Sequence, residues 1–104
     1  MLAEEAGADA ALVAAVAWHE SSYRPDAVNP RTGAFGVMGL MPTPTADPAR
    51  WCRDIDIRTT AGNVACGVLL LRRALRLCGT VEGALSRYRG HRCGPSAYAT
   101  MVLR

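Results

Sequence analysis

Lysine is absent from this sequence: all twelve basic residues are arginine, and the net charge is only +3 at pH 7. Aromatic residues are also scarce, at 6% of the chain. A site for single-stranded nucleic acid needs a basic groove interleaved with aromatic side chains, and no segment has that pattern. We therefore predict no nucleic-acid partner. The mild positive charge suits an anionic polymer, although ordinary solubility explains it equally well.

A hydrophobic run long enough to cross a membrane, about 18 residues or more, is also missing. The longest candidate, from Val64 to Leu77, is interrupted by arginines. The first five residues lack the basic start and the apolar core of a signal peptide. We therefore predict no membrane span, and we expect any export signal to lie outside residues 1–104.

Metal-ligand spacing is lacking as well, because no Cys-x-x-Cys pair occurs and the two histidines are far apart in sequence. We predict no metal and no cofactor. Four cysteines in a small domain instead favour two disulfides and an oxidising location. Of the three possible connectivities we favour Cys52–Cys66 and Cys78–Cys93, since each would tie a loop to the nearer end of a helix. Four buried free thiols are the alternative.

The 104 residues, half of them hydrophobic, are enough for one domain with one core, spanning residues 1–104. Helical periodicity dominates and no strand-length alternation occurs, so we predict an all-α fold. A long structured loop is expected from Arg24 to Ala46. The helices are expected at about Asp9–Tyr23, within Pro44–Arg53, at Thr60–Cys78, from the cap Thr80 to Tyr88, and at Pro95–Leu103.

The long third helix has recognisable ends. Thr60 is the expected N-cap and Gly79 the expected C′ residue. The aliphatic side chains follow a 4-3-4-3 spacing, which predicts one buried face. That face comprises Val64, Val68, Leu71, Leu75 and Cys78.

Glu20 is a carboxylate at a position where a helix usually buries a hydrophobic residue. Leu12 and Val16 form an apolar stripe on the first helix, and the next position at i+4 is Glu20. Pro25 restricts the residue before it and so ends the helix nearby. Desolvation and the negative end of the helix dipole both favour the protonated acid, the form that can donate a proton. The alternative is that Glu20 turns outward at a frayed helix end.

The segment that begins with Glu20 resembles the signature of the soluble lytic transglycosylases. In that family a Glu-Ser pair ends a helix, a Pro-x-Ala-x-Ser/Asn loop follows, and Gly-Ala-x-Gly-Leu-Met-Gln and Met-Pro-x-Thr segments close the site. Later motifs of the family are an Asn-Ile-x-x-Gly helix start and Ala-Leu-x-x-Tyr-Asn. The matching positions are Glu20-Ser21, Pro25–Asn29, Gly33–Met38, Met41-Pro42, Asn63–Leu71 and Ala84–Tyr88.

Three positions depart from this pattern. Gly39 stands where the family has Gln, Arg89 stands where it has Asn, and Val37 replaces Leu. The first two departures affect groups that would bind substrate. The third is a mild change of one aliphatic side chain for another.

The resemblance implies a small lysozyme-like helical domain that cleaves the glycan strands of peptidoglycan and leaves 1,6-anhydro ends. Glu20 would serve first as acid and then as base. The substrate-binding residues implied by the match are Ser21, Gly36, Val37, Met38 and Tyr88. Tyr88 would bring its hydroxyl close to Glu20 and the reacting sugar, Val37 and Met38 would form an apolar groove floor, and Ser21 would orient the loop backbone or Glu20.

Two further functions stay open on the sequence alone. A hydrolysing lysozyme of the goose type would need a carboxylate that activates water, such as Asp26. A non-catalytic glycan-binding domain of the same fold is suggested by Gly39 and Arg89. Trp18 and Trp51 are interpreted as packing residues. We expect an exported monomer.

Overall fold

The computed structural model describes the backbone of residues 2–104 and the side chains of residues 10–104. Five helices follow one another along this part of the chain, and within it no strand or sheet occurs. The all-α prediction is therefore confirmed. The helices are α1 (Leu2–Ser21), α2 (Asp47–Trp51), α3 (Thr60–Cys78), α4 (Val81–Tyr88) and α5 (Ala97–Val102).

The structure divides into two compact units, residues 1–69 and residues 70–104, with the boundary inside α3. The first unit contains α1, the long loop, α2 and the start of α3. The second contains the rest of α3, α4 and α5. None of the helices among the described residues is both long enough and apolar enough to span a bilayer.

The apolar stripe predicted on α1 is buried. Leu12 and Val16 are core residues, Val13 is half-buried, and Glu20 at the end of the stripe is half-buried. The helix ends at Ser21, two residues earlier than predicted. The physical reason is that Ser22 and Tyr23 both have left-handed backbones, with φ of 53° and 63°, and these end the helix before Pro25 can.

The segment between α1 and α2 is irregular but well hydrogen-bonded. One tight turn is closed by the Asn29 and Ala34 backbones, whose N–H and carbonyl groups lie 2.8 Å apart. A second turn is closed by two reciprocal backbone bonds between Phe35 and Leu40, each 2.9 Å long. We call residues 33–42 the active-site loop, because the family resemblance implies that this segment forms part of the site. Because its own backbone groups are paired, this loop has a defined shape without belonging to a sheet.

The buried face of α3 is rotated from the predicted one. Leu71 is buried as expected, but the other four residues of the predicted stripe are only half-buried. The actual buried face includes small and polar residues, because other parts of the chain pack closely on them. Its members are Asn63, Cys66, Gly67, Leu70, Leu71 and Ala74.

The caps of the later helices follow the expected chemistry. The N-cap of α3 is Thr59, one residue before the predicted Thr60, and its hydroxyl accepts a hydrogen bond from Gly62 N at 2.9 Å. Gly79 follows α3 with φ of 75°, as a C′ glycine should. The hydroxyl of Thr80 caps α4, as predicted, by accepting from Gly83 N at 3.0 Å. Ser96 is the N-cap of α5, so this helix starts later than predicted. It also ends one residue earlier than predicted, at Val102.

Two disulfides are present, with the pairing that the sequence analysis favoured. Cys52–Cys66 lies in the first unit and joins the C-cap of α2 to α3. Cys78–Cys93 lies in the second unit and joins the end of α3 to the segment after α4. No cysteine among the described residues is free. Each disulfide closes a loop of 14 or 15 residues, which restricts the unfolded chain.

Candidate active site

The carboxyl group of Glu20 lies directly on the backbone of Gly39. A Cβ atom placed on Gly39 would stand 2.9 Å from the carboxyl carbon of Glu20, which is closer than real side chains come, and 3.1 Å from the Glu20 Cβ, which is a tight contact. Gly39 has φ of 63°, a left-handed backbone that glycine adopts readily. The candidate acid is therefore placed by the last turn of α1 on one side and by the active-site loop on the other.

Ser21 connects the same helix end to the loop. Its hydroxyl oxygen lies 2.8 Å from the carbonyl oxygen of Val37 and 3.0 Å from that of Ala17 on the preceding turn. The single hydroxyl proton is thus shared between a loop carbonyl and a helix carbonyl. Because Ser21 is only 8% exposed, water competes little for this contact.

Met38 is held by α3 at two points one helical turn apart. Its backbone N–H donates to Asn63 Oδ1 at 2.8 Å. Its side chain lies on Gly67, where an added Cβ would stand 2.6 Å from Met38 Cβ and 2.8 Å from Met38 Cε. Glycine inside a helix is destabilising by about 1 kcal/mol relative to alanine. Here that glycine allows the loop to pack closely on the helix.

The side-chain amide of Asn63 on α3 holds the active-site loop by hydrogen bonds. Besides accepting from Met38, it donates through Nδ2 to the carbonyl oxygens of Phe35 at 3.1 Å and Ile57 at 3.3 Å. Gly36 lies directly over this amide, since a Cβ on Gly36 would stand 2.7 Å from Asn63 Oδ1. The buried amide thereby satisfies three backbone groups that belong to two separate irregular segments.

A family model described as the transglycosylase SLT domain matches residues 1–98. The chain belongs to the transglycosylase SLT family. The SLT domain is a lysozyme-like helical domain associated with lytic transglycosylase activity on peptidoglycan. Neither the curated proteins nor the solved structures contain a match to the chain.

The predicted substrate-binding residues of this SLT domain differ in how accessible they are. Met38 has no exposed surface, so the prediction that its side chain forms the groove floor is wrong. The reason is its contact with Gly67, which places it inside the core. Val37 and Ser21 are buried but keep a small exposed surface, and Gly36 is buried. Direct contact with substrate stays a prediction for these three residues.

Trp18 and Trp51 are not the packing residues that the sequence suggested. Trp18 is 54% exposed and Trp51 is also exposed. The ring of Trp18 contacts that of Tyr23 with a centroid distance of 5.5 Å and an interplanar angle of 49°. The left-handed backbone at Tyr23 turns the chain after α1, which the periodicity of the helix could not reveal.

Tyr88 is half-buried in the last turn of α4, in the second compact unit. Its action on the reacting sugar stays a prediction. Arg89, which follows it in place of the family's Asn, has its guanidinium carbon 5.3 Å from the centre of the Tyr98 ring. This cation–π contact gives Arg89 a structural partner within its own unit.

An open groove of about 610 Å³ borders the active-site loop in the first unit. Phe35, Pro42 and the segment 53–58 line it. The carboxylate of Asp56 accepts from the backbone N–H of Arg58 at 3.1 Å and from its guanidinium at 3.3 Å. Both bonds lower the pKa of Asp56, and the bond from the backbone N–H has the larger effect. Among residues 10–104 no group of three His, Cys, Asp or Glu side chains is arranged as metal ligands would be.

Sequence reasoning missed the importance of two residues. Asn63 was recognised only as part of a family motif, and Gly39 only as a missing Gln. Asn63 lies outside the predicted buried face of α3, so hydrophobic periodicity carried no signal for its burial. The contact between Gly39 and Glu20 depends on the loop's path through space, and no local pattern carries that information.

Proposed function

We propose that this SLT domain cleaves the β-1,4 bond between N-acetylmuramic acid and N-acetylglucosamine and forms 1,6-anhydro-muramyl ends. The observation that carries the proposal is the placement of the Glu20 carboxyl against Gly39 at the end of α1. Within an SLT domain, this puts a half-buried carboxyl beside the loop that carries the family's motif. A positioned carboxyl of this kind is what general acid–base catalysis of glycosidic cleavage needs.

In the first step Glu20 donates its proton to the glycosidic oxygen. The bond from that oxygen to the anomeric carbon breaks, and the N-acetylglucosamine side leaves as an alcohol. The oxygen of the substrate's own N-acetyl group attacks the anomeric carbon and takes the place that a second carboxylate occupies in retaining glycosidases. Glu20 is left as a carboxylate.

In the second step the Glu20 carboxylate accepts the proton of the muramyl 6-hydroxyl. The 6-oxygen then attacks the anomeric carbon and displaces the N-acetyl oxygen, which closes the 1,6-anhydro ring. Glu20 is protonated again and no water is consumed. One carboxyl group thereby completes a full cycle, as general acid in cleavage and as general base in ring closure.

The surroundings of Asp26 favour this one-carboxylate reaction over hydrolysis. Asp26 is the next acidic residue along the chain, and a goose-type hydrolase would use it to activate water. Its carboxylate is highly exposed and lies 3.8 Å from the guanidinium of Arg24, which is also exposed. A carboxylate that is solvated and paired in this way lacks the enclosed, positioned setting of a catalytic base.

The contacts of the active-site loop support a role for this loop in positioning the Glu20 carboxyl. Ser21 fixes Val37, and Asn63 fixes Met38, so the residues on the N-terminal side of Gly39 are anchored to two helices. Rigid support of this kind keeps a catalytic group in a productive geometry. We propose that Tyr88 contributes its hydroxyl to the same reaction, as the family resemblance implies.

We further propose that the protein acts outside the cytoplasm as a monomer. Peptidoglycan lies outside the cytoplasm, and SLT enzymes act there. The two disulfides fit an exported protein, because disulfides persist in oxidising compartments.

Digestion of purified sacculi in water enriched in heavy oxygen tests the function directly. The proposal predicts muropeptides with anhydro ends, each one water lighter than a reducing end and free of heavy oxygen. A hydrolase would instead give reducing ends that carry one heavy oxygen. Retained binding to glycan strands with no product of either kind would indicate the non-catalytic domain.

A further inference from the structure

Gly39 is the point at which the active-site loop touches the acid. Its left-handed φ and the absence of a side chain leave a bare stretch of backbone, and the carboxyl end of Glu20 occupies the space that a side chain would fill. The Gly39 N–H is already bonded to the carbonyl oxygen of Gly36 at 3.2 Å. The close approach of the Glu20 carboxyl to this backbone therefore depends on the absence of a side chain at position 39.

We propose that Gly39 is a positioning residue for the Glu20 carboxyl, and that this chain's departure from the family's Gln is part of how its site is built. The inference rests on the proposed function, since it assigns Gly39 a role through the catalytic acid. A side chain at position 39 would push the carboxyl away from its resting place. In this chain the acid itself occupies the space that a side chain at position 39 would fill.

The loop cannot easily move aside to accommodate a side chain at position 39. Val37 is bonded to Ser21, Met38 is bonded to Asn63, and Leu40 makes two backbone bonds to Phe35. The Glu20 carboxyl, in contrast, is the far end of a flexible side chain. A new side chain would therefore displace the carboxyl more readily than the loop, and the main effect would be on catalysis.

This gives a prediction opposite to that of simple loss of a substrate contact. If Gly39 were only a lost polar contact, Gly39→Gln would restore the family's residue and raise turnover. If Gly39 positions the acid, Gly39→Gln lowers turnover. The experiment measures kcat and KM on sacculi for Gly39→Gln, Gly39→Ala and Gly39→Asn. Asn tolerates the left-handed backbone better than other side chains, so Gly39→Asn is the variant with the least backbone strain.

Gly79→Ala is the matched control for backbone strain. Gly79 has φ of 75°, close to that of Gly39, but a Cβ there would meet no atom within 4 Å. Both alanine variants should lower the melting temperature by similar amounts. We expect kcat to fall by about tenfold to a hundredfold in all three Gly39 variants with KM little changed, and to stay within about twofold of wild type in Gly79→Ala.

A second measurement reads the carboxyl position without using activity. The chain has four glutamates, so carbon-13 labelling of glutamate carboxyls gives few signals, and Glu20→Gln identifies the one from Glu20. We expect this signal to shift in the Gly39 variants and not in Gly79→Ala. An unmoved signal, an increase in turnover for Gly39→Gln, or wild-type kcat with a shifted signal would each overturn the inference. If Glu20→Gln keeps wild-type activity, the proposed function fails, while the carboxyl signal still reports on the contact.

Discussion

Asn63 on α3 and Met38 in the active-site loop are joined by a buried hydrogen bond, in which Met38 N–H donates to Asn63 Oδ1 at 2.8 Å. The same amide donates to the carbonyl oxygens of Phe35 and Ile57. Asn63 is only 2% exposed, so its amide is almost entirely enclosed by the protein. This one side chain therefore fixes the distance between the active-site loop and α3. Gly39, which contacts the Glu20 carboxyl, directly follows Met38 in this loop.

Replacement of this amide by a carboxyl tests that role. Asn63→Asp keeps the acceptor for Met38 N–H but removes the donor to two carbonyl oxygens and places a carboxylate against them. We expect a loss of about 2–3 kcal/mol in the free energy of unfolding at neutral pH. Chemical denaturation measures it. Ala65→Asp, which adds the same group on an exposed part of α3, is the control.

The pH dependence of this variant has a defined sign. Burial beside carbonyl oxygens favours the protonated form of the introduced carboxyl in the folded state. The folded protein then holds that proton to a higher pH than the unfolded chain, whose aspartate titrates near about 3.9. The free energy of unfolding of Asn63→Asp should accordingly fall, relative to wild type, as the pH rises above about 4. A difference that does not depend on pH would contradict burial of the new group.

The sequence allowed the helices of the fold to be predicted, because their signals are local. The Leu12–Val16 stripe places the face of α1, and Thr80 and Gly79 mark helix ends through chemistry that acts over a few residues. The prediction of the buried face of α3 is wrong, because Asn63 and Gly67 belong to the core and hydrophobic periodicity does not select them. Their burial depends on the loop that packs on them, which hydrophobic periodicity does not describe.

The candidate site was predictable in part for the same reason. Glu20 was identified from its position on the stripe and from the family's motif, and both are local. The exposure of Trp18 and the burial of Met38 depend on how the chain turns after α1. Ser22 and Tyr23 make that turn with left-handed backbones. Neither residue is glycine, so the residue types did not predict the turn.

The disulfides can be checked by mass. Without reductant, alkylation of the protein should modify no cysteine. Trypsin cleaves after arginine and should place the four cysteines in separate peptides, which cover residues 51–53, 59–72, 77–87 and 93–104. The first two should be linked to each other, and so should the last two. Alkylation of four thiols would contradict both the pairing and the export proposal.

Removal of one disulfide should lower stability more than activity. Replacing both Cys78 and Cys93 by serine opens a loop whose ends are 15 residues apart. On the chain-entropy model the loss in free energy of unfolding is about 3 kcal/mol. Thermal unfolding with and without reductant measures it, since reductant should lower the melting temperature of wild type further than that of the double variant.

Tyr88→Phe tests the hydroxyl proposed for the reaction. The substitution keeps the ring, so the free energy of unfolding should change by only about 1 kcal/mol. Turnover on sacculi should fall by at least about tenfold, which corresponds to about 1.4 kcal/mol in the transition state. Tyr98→Phe, in the same unit but outside the family's motif, should keep wild-type turnover. Equal turnover in wild type and Tyr88→Phe would make Tyr88 a packing residue.

Glu20→Gln tests the assignment on which the proposed function depends. The amide has the size of the carboxyl and can rest on Gly39 in the same way, so the fold and the binding of glycan strands should be retained. It cannot donate the proton in the first step or accept one in the second. The loss of a positioned acid or base typically lowers the rate by about 10²–10⁴-fold, and here one residue serves both steps.

The release of anhydro-muropeptides from sacculi, followed by mass spectrometry, measures the effect of Glu20→Gln. Glu82→Gln, which changes an exposed glutamate in the first turn of α4, is the matched control and should keep wild-type turnover. Thermal unfolding of both variants shows whether each is folded. If folded Glu20→Gln releases anhydro products as fast as wild type, another group supplies the acid. The contact between Glu20 and Gly39 would then be a feature of packing alone, because a carboxyl that transfers no proton has no catalytic position to keep.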